Sequence, residues 1–334
     1  MKIYLEQLQE IETFTLLRGL ARFSSEHTLV PTPHEADLIL FLGNIGDYPE
    51  ALLESATYRA FPDKCTLYTE QDQFVPLIPG VYASAHSSRH TKVGRVFSFD
   101  YISSHGRFTN AFVQPYTSAD KKFLFTFQGG STCILRKRLF NLNFNRPDVL
   151  IENTSTYGHW LETPAADQID RQRRYAETLN ASHFVLCPRG AGVSSIRFFE
   201  VLRAGIAPVL IADRFELPPG IDWDKFLIRV KERDIARLPQ ILAPLISTAA
   251  ERGRLAREAY LANFADHVAF DKIIALCARS LQHTGPTEAE FRAMQQKILV
   301  AERRRNARYA FAKKTFLTLL RVLHIKNPYQ MNER

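Results

Sequence analysis

The residues best equipped for chemistry crowd into one stretch, Phe184 to Asp213, FVLCPRGAGVSSIRFFEVLRAGIAPVLIAD. Arg189, Ser194, Ser195 and Arg197 supply cations and hydroxyls, groups that hold oxygen anions such as phosphate. Glu200 follows Arg197 by three residues, so on a helix the two share a face. The carboxylate there either pairs with the arginine or accepts two vicinal hydroxyls, as a ribose offers. Gly190 and Gly192 allow a ligand to approach the backbone closely. Arg197 falls in a first helical turn, where positive charge is mildly unfavourable unless an anion compensates it. An Arg–Glu pair alone is usually a solvated surface contact worth little. Its combination with the glycine turn, two serines and Arg189 points instead to an anion site, although the turn matches neither the dinucleotide fingerprint nor a Walker loop.

These residues need a strand to end and a helix to begin at the turn. The pattern supplies both: FVLCP is an apolar strand, SSIRFFEVLRAG a short amphipathic helix closing on Gly205, and APVLIAD a second strand. A turn leaving the carboxyl end of a strand exposes unpaired N–H groups at the positive end of the helix dipole, with one serine free to cap the helix and the other to donate to a phosphate oxygen. Around this unit DRQRRYAETLNA reads as a helix, LPPGIDW as a turn, FLIRV as a strand and DIARLPQILAPLI as a helix. Strands alternating with helices predict a parallel sheet that binds ligand beyond its carboxyl edge. The first half alternates too, with strands at ADLILFLGN, KCTLYTE and FLFTF and helices at EALLESATYRAF and ILRKRLFNL. The polar, aperiodic run Glu152 to Asp170 is the expected interdomain connection, giving domains 1–160 and 161–286 and a basic helical extension 287–334.

With 334 residues, 46% of them hydrophobic, the chain can bury two cores. Its apolar runs are strand-sized, and the N-terminal twenty residues lack the long apolar core of a secretory peptide, so the expected compartment is the cytoplasm. Cys65, Cys133, Cys187 and Cys277 show no paired spacing, which argues against a zinc site or a disulfide framework. The net charge of +8 suits an anionic partner. Nucleic acid is the poorer choice, because the positive charge is not interleaved with stacking aromatics in any recognisable module.

The order of residues from Phe184 to Leu242 closely resembles the exostosin family, glycosyltransferase family 47. The resemblance rests on the strand ending Cys-Pro-Arg-Gly, the Ser-x-Arg-Phe-x-Glu helix start, the Pro-Val-Leu-Ile strand, the Leu-Pro turn and the Asp-Trp before a strand. Weaker similarity at EADLILF and FLFTFQGG extends it over residues 30–280. It implies an α/β fold of GT-B type, two facing Rossmann-like domains, with a nucleotide sugar held mainly by the second and a glycan or lipid-linked acceptor by the first. It implies further that Ser195, Arg197 and Glu200 hold diphosphate and ribose, that Arg136 reaches the diphosphate from the first domain, and that Arg189 and Gly190 belong to the same segment. The expected form is bacterial, lacks the membrane anchor of the animal enzymes, and uses a uridine diphosphate sugar.

Departure of a nucleoside diphosphate needs a metal ion or fixed positive charge, and Arg136, Arg189 and Arg197 with the turn's N–H groups meet that need without metal or cofactor. Two acidic triplets are rival metal ligands. Asp222-Trp-Asp224 follows LPPGI and reads as a turn, whereas Glu70-Gln-Asp72 follows the strand CTLYT and keeps a metal-dependent GT-A reading open. The resemblance implies inversion, which requires a base on the acceptor side. Glu70 and Asp72 are the candidates, with Asp100 and His105 also in the presumed acceptor domain near strand ends or loops. Retaining GT-B enzymes often carry a glutamate eight residues before the ribose glutamate, and here that position is Gly192. The segment 291–323 interleaves Arg303, Arg304, Arg305, Lys313, Lys314 and Arg321 with apolar residues, so it either lies on an anionic membrane or packs back on the first domain. A non-catalytic polyanion- or membrane-binding protein acting through this tail is the reading outside enzymology.

Overall fold

The computed structural model describes residues 1–9, 11–45, 49–106, 109–115, 120–156 and 165–284, with scattered positions between 290 and 315. Eleven strands form two sheets among the described residues. They are β1 (Lys2–Gln7), β2 (Thr28–Leu29), β3 (Leu38–Leu42), β4 (Cys65–Thr69), β5 (Gly80–Tyr82), β6 (Val96–Phe97), β7 (Phe123–Gly129), β8 (Val149–Asn153), β9 (Ser182–Pro188), β10 (Ala207–Ile211) and β11 (Ile228–Arg229). The helices are α1 (Glu12–Leu20), α2 (Pro49–Glu54), α3 (Ala56–Ala60), α4 (Arg89–Lys92), α5 (Ile134–Phe140), α6 (Ala165–Asn180), α7 (Ile196–Ala204), α8 (Leu238–Leu242), α9 (Ile246–Asn263) and α10 (Asp266–Leu281). No described helix is long and apolar enough to cross a membrane.

Every strand pairing within the sheets is parallel. The first sheet runs β2-β1-β3-β4-β5-β6 and the second β11-β10-β9-β7-β8. Strands β3, β4 and β10 are buried at every residue, which is why they read as unbroken apolar runs: a parallel strand with both faces covered has no solvent side to make polar. Alternation reappears in where the side chains go. Leu38, Leu40 and Leu42 enter one core while Ile39 and Phe41 enter another. Likewise Val185 and Cys187 enter the core shared with the first sheet, while Phe184 and Leu186 enter a core beneath α5 and α8. The shared core draws side chains from both sheets and from α1, α7, α9 and α10, so the two units, GT-B fashion, face one another around a common interior.

The boundary between the units differs from the sequence-based one at residue 160. Strands β7 and β8 pair with each other and β7 with β9, so residues 123–153 belong to the second unit. The polar run from Glu152 is the β8-to-α6 connection inside that unit. Residues 154–156 leave the carboxyl end of β8 and α6 follows from Ala165, so the run joins two elements of one unit and not two domains. After α9 the chain returns to the first unit, where α10 packs on β4, β5 and α1. Behind the cleft the units are stitched by an antiparallel bridge between His86 and Phe215, with Ser87 N donating to Arg214 O (2.9 Å) and Glu216 N to Ala85 O (3.1 Å). Of the basic extension, Leu299 is buried and Ile298 packs against the first-unit core. The remainder of the membrane-surface expectation for 291–323 lies largely outside the described residues.

Candidate active site

From β7 the chain passes through α5 to β8 on one side, and from β9 through α7 to β10 on the other. Their carboxyl ends therefore diverge and leave a crevice at the point where the strand order reverses. A cleft of about 1310 Å³ opens there between the units. The second unit contributes Gly129 and Gly130 after β7, Thr132 and Arg136 of the following turn and helix, Gly190 to Arg197 after β9, and Glu200. The first unit contributes Glu12, Gly43 and Asn44 beyond β1 and β3, and Glu70 to Asp72 beyond β4.

The expected anion site is assembled as a strand-turn-helix. Gly190 N donates to Ser194 O (3.1 Å), closing the turn, and Ser195 is the N-cap of α7 with no side-chain cap of its own. Gly205, at φ 71°, ends the helix in the left-handed region that glycine tolerates. Phe198, Phe199, Val201 and Leu202 bury the inner side of α7, which fixes the orientation of the opposite side carrying Arg197 and Glu200. The Arg197 guanidinium lies 4.8 Å from the Phe127 ring centre and 5.4 Å from that of Tyr175, and its Nε donates to the Tyr175 hydroxyl (3.2 Å). That hydroxyl donates in turn to Glu200 Oε2 (2.9 Å). Arginine, tyrosine and glutamate thus form one chain of hydrogen bonds at the head of α7, held by two aromatic faces.

Arg136 departs from expectation in two ways. It lies on α5 of the second unit, not on the first domain, and its guanidinium is buried in protein carbonyls. Nε donates to Arg189 O (2.9 Å), one terminal nitrogen to Gly130 O (3.3 Å), and the other to Pro188 O (3.1 Å) and Ser195 Oγ (3.3 Å). It knits the ends of β7 and β9 together and adds fixed positive charge beneath the turn. Burial, and then Arg197, lower its pKa to about 10, still charged at neutral pH. Arg189 is turned away: its Nε pairs with Glu232 (2.9 Å), and only its backbone serves Arg136. Gly192 does not make room for a ligand. A Cβ there would stand 2.3 Å from Ser84 Oγ and 2.8 Å from Asp72 O, so its bareness lets the turn meet the first unit. Ser194 is buried beside Tyr101 of that unit.

Of the acidic candidates, Glu70 and Asp72 line the cleft but do different things. Glu70 Oε1 accepts from the Tyr68 hydroxyl (3.0 Å) and Ser103 N (2.9 Å), and burial pushes its carboxyl above the usual range against those bonds. Burial also raises Asp72, opposed by the Gly192 N–H and by Arg136. The two carboxylates have separate partners, and no group of three or more metal-ligating side chains occurs among the described residues. Asp222 pairs with Lys225 (3.1 Å) in the expected turn. Asp100 and His105 are not in the cleft. His105 stands between Asp100 (3.5 Å) and Asp266 (2.7 Å), tying the first unit to the start of α10. Burial alone would lower this histidine, but the two carboxylates raise it to about 9.

Sequence reasoning missed Tyr175, and with it Gln168, Arg171, Gln172 and Arg174, which bring α6 to the cleft wall. The arginine-rich start of DRQRRYAETLN was the available signal, visible as a helix but with no hint of which side would face the opening.

Residues 85–245 match the model of the Exostosin GT47 domain. This span takes in the edge of the first unit and all five strands of the second sheet. Just under half of the chain is thus similar to the exostosin GT47 domain. An Exostosin-1 homolog of Caenorhabditis elegans is 32% identical over 151 residues, covering 41% of this chain and 38% of that protein. Exostosin-1 of Drosophila melanogaster is 34% identical over 136 residues, covering 37% and 18%. The chain therefore spans well under half the length of these relatives. Among solved structures, a DNA-modifying β-glucosyltransferase studied with uridine diphosphoglucose superposes with a TM-score of 0.41 at 11% identity over 84% of this chain and 99% of that one. TarM does so with a TM-score of 0.40 at 10% identity over 80% and 58%. Both superpositions are loose, and the fold is described from the chain's own two sheets.

Proposed function

We propose that the protein is a glycosyltransferase that moves a sugar from a nucleoside diphosphate, with uridine as the nucleoside, to a glycan or lipid-linked saccharide. The observation that carries this reading is the Arg197–Tyr175–Glu200 chain at the head of α7, set in the crevice where the second sheet reverses its strand order. A helix N-terminus with a fixed guanidinium suits a diphosphate, and a carboxylate three residues on suits ribose hydroxyls.

In this mechanism the acceptor enters from the Glu12, Gly43 and Asn44 side and its hydroxyl oxygen attacks the anomeric carbon. The bond from that carbon to the diphosphate oxygen breaks, and the electron pair leaves with the diphosphate. Arg197, the field of Arg136 and the N–H groups of the α7 turn stabilise the growing charge without a metal. Glu70 takes the acceptor proton: it lines the first-unit wall, two hydrogen bonds fix one of its oxygens, and burial makes it more basic than a surface glutamate. A single displacement of this kind inverts the anomeric centre.

Release of UDP from a panel of UDP-sugars, measured in chelator with oligosaccharide acceptors, tests the reading. Turnover that Glu70→Gln lowers by roughly 10²–10⁴-fold with donor affinity kept supports the assignment. Transfer that needs a divalent ion, or that Glu70→Gln leaves untouched, contradicts the corresponding part.

A further inference from the structure

The contacts across the cleft fall into an order. Asp72 of the first unit meets Gly192, the α7 turn follows, then Arg197 and Glu200 meet at Tyr175, and the next residue on α6, Arg174, reaches Glu152 at the end of β8. With diphosphate at the turn and ribose on Glu200, the transferred sugar extends toward the first unit. The nucleobase extends the other way, toward Arg174 and Glu152. We propose that Arg174 and Glu152 read the edge of that base and select one on which a carbonyl stands beside a ring N–H, as in uracil, over cytosine. The inference rests on the donor-site reading given above.

The geometry supports such an edge reader. Gln128 on β7 is 7% exposed, and its Nε2 donates to Glu152 Oε2 at 2.7 Å, fixing the carboxylate from behind. An ionised carboxylate only accepts, and a guanidinium only donates. Arg174 stands 3.5 Å from Glu152, and its side chain is 67% exposed, so the pair presents a donor next to an acceptor at the cleft wall. Uracil offers the complement, a carbonyl for Arg174 and the N3–H for Glu152. Cytosine held in the same pose, with its carbonyl on Arg174, brings its unprotonated N3 to Glu152 and sets lone pair against carboxylate. Gln128 Oε1 is buried and has no hydrogen-bond partner among the described residues. Its amide is thus held in place by Glu152 alone, and Gln128 is a positioning residue rather than a contact.

The test is calorimetric titration of the full chain with UDP, CDP and N3-methyl-UDP, using wild type, Glu152→Gln and Arg197→Ala, each shown to be folded by circular dichroism. Expected are a preference of wild type for UDP over CDP of tenfold or more, and a similar loss on N3-methylation. In Glu152→Gln the preference should shrink severalfold, because an amide donates as readily as it accepts. UDP binding that Arg197→Ala weakens, but with equal affinity for CDP or a preference unchanged in Glu152→Gln, overturns the base-reading inference and leaves the donor site standing. No binding of any nucleotide by folded wild type overturns both. N3-methyl-UDP needs no substitution, so the inference stays testable if Glu152→Gln fails to fold.

Discussion

Replacing Arg136 by methionine separates a structural arginine from a ligand-facing one. The guanidinium is buried and gives four hydrogen bonds, three of them to the backbone carbonyls of Gly130, Pro188 and Arg189. Methionine fills much of the volume but leaves those carbonyls without their charged donor. Each buried carbonyl that loses its donor costs about 1–3 kcal/mol, and relief of the guanidinium's own desolvation offsets part of that sum. Arg136→Met should therefore lower the unfolding free energy by about 3–5 kcal/mol. The readout is a shift in urea midpoint at an unchanged slope. Lysine keeps the charge but, as a compact ammonium, cannot fork to carbonyls on both strand ends, so Arg136→Lys should recover less than half of the loss. A methionine variant as stable as wild type that has nonetheless lost UDP binding would refute the reasoning and return Arg136 to direct contact with diphosphate.

Two further predictions concern how the units meet. Gly192→Ala places a methyl 2.8 Å from the backbone oxygen of Asp72, which cannot step aside, and should cost about 1–3 kcal/mol. Adding Ser84→Ala relieves the 2.3 Å contact but not the backbone one, so a double variant as stable as wild type would contradict the account. His105 has a folded pKa near 9, above its unfolded value of about 6.5. Its ion pairs therefore contribute stability that is fully present below about pH 6.5 and is lost as pH rises through 9. Thermal unfolding should shift downward between pH 6.5 and 9.5 in wild type and lose that shift in His105→Gln; an identical slope in both would show that another group is responsible.

How much of this was legible in the sequence follows from the physics of each feature. Buried parallel strands such as APVLI announce themselves, because both faces must be apolar, and the turn-to-helix signature of Ser195, Arg197 and Glu200 is local enough to read directly. The unit boundary was not legible. A polar loop at a sheet's carboxyl edge has the same composition as an interdomain linker, and only the pairing of β7 with β9 distinguishes them. Nor does sequence reveal which way a long side chain turns. Arg189 is captured by Glu232, 43 residues downstream, while Arg136 is drawn under the turn by carbonyls from two strands. Tyr175 carries no signal of its own in the sequence, because its hydroxyl gains a role only when α7 is laid beside it. The apolar side of α10 says that the helix is buried, but not that it crosses back to the first sheet.

The most direct measurement of the central claim is titration of purified protein with UDP in chelator, repeated with Arg197→Ala and Glu200→Ala. Binding without metal that each substitution weakens tenfold or more is the predicted result. Folded protein that binds UDP in neither chelator nor manganese, or binds it with an affinity indifferent to both substitutions, would contradict a donor site at the head of α7.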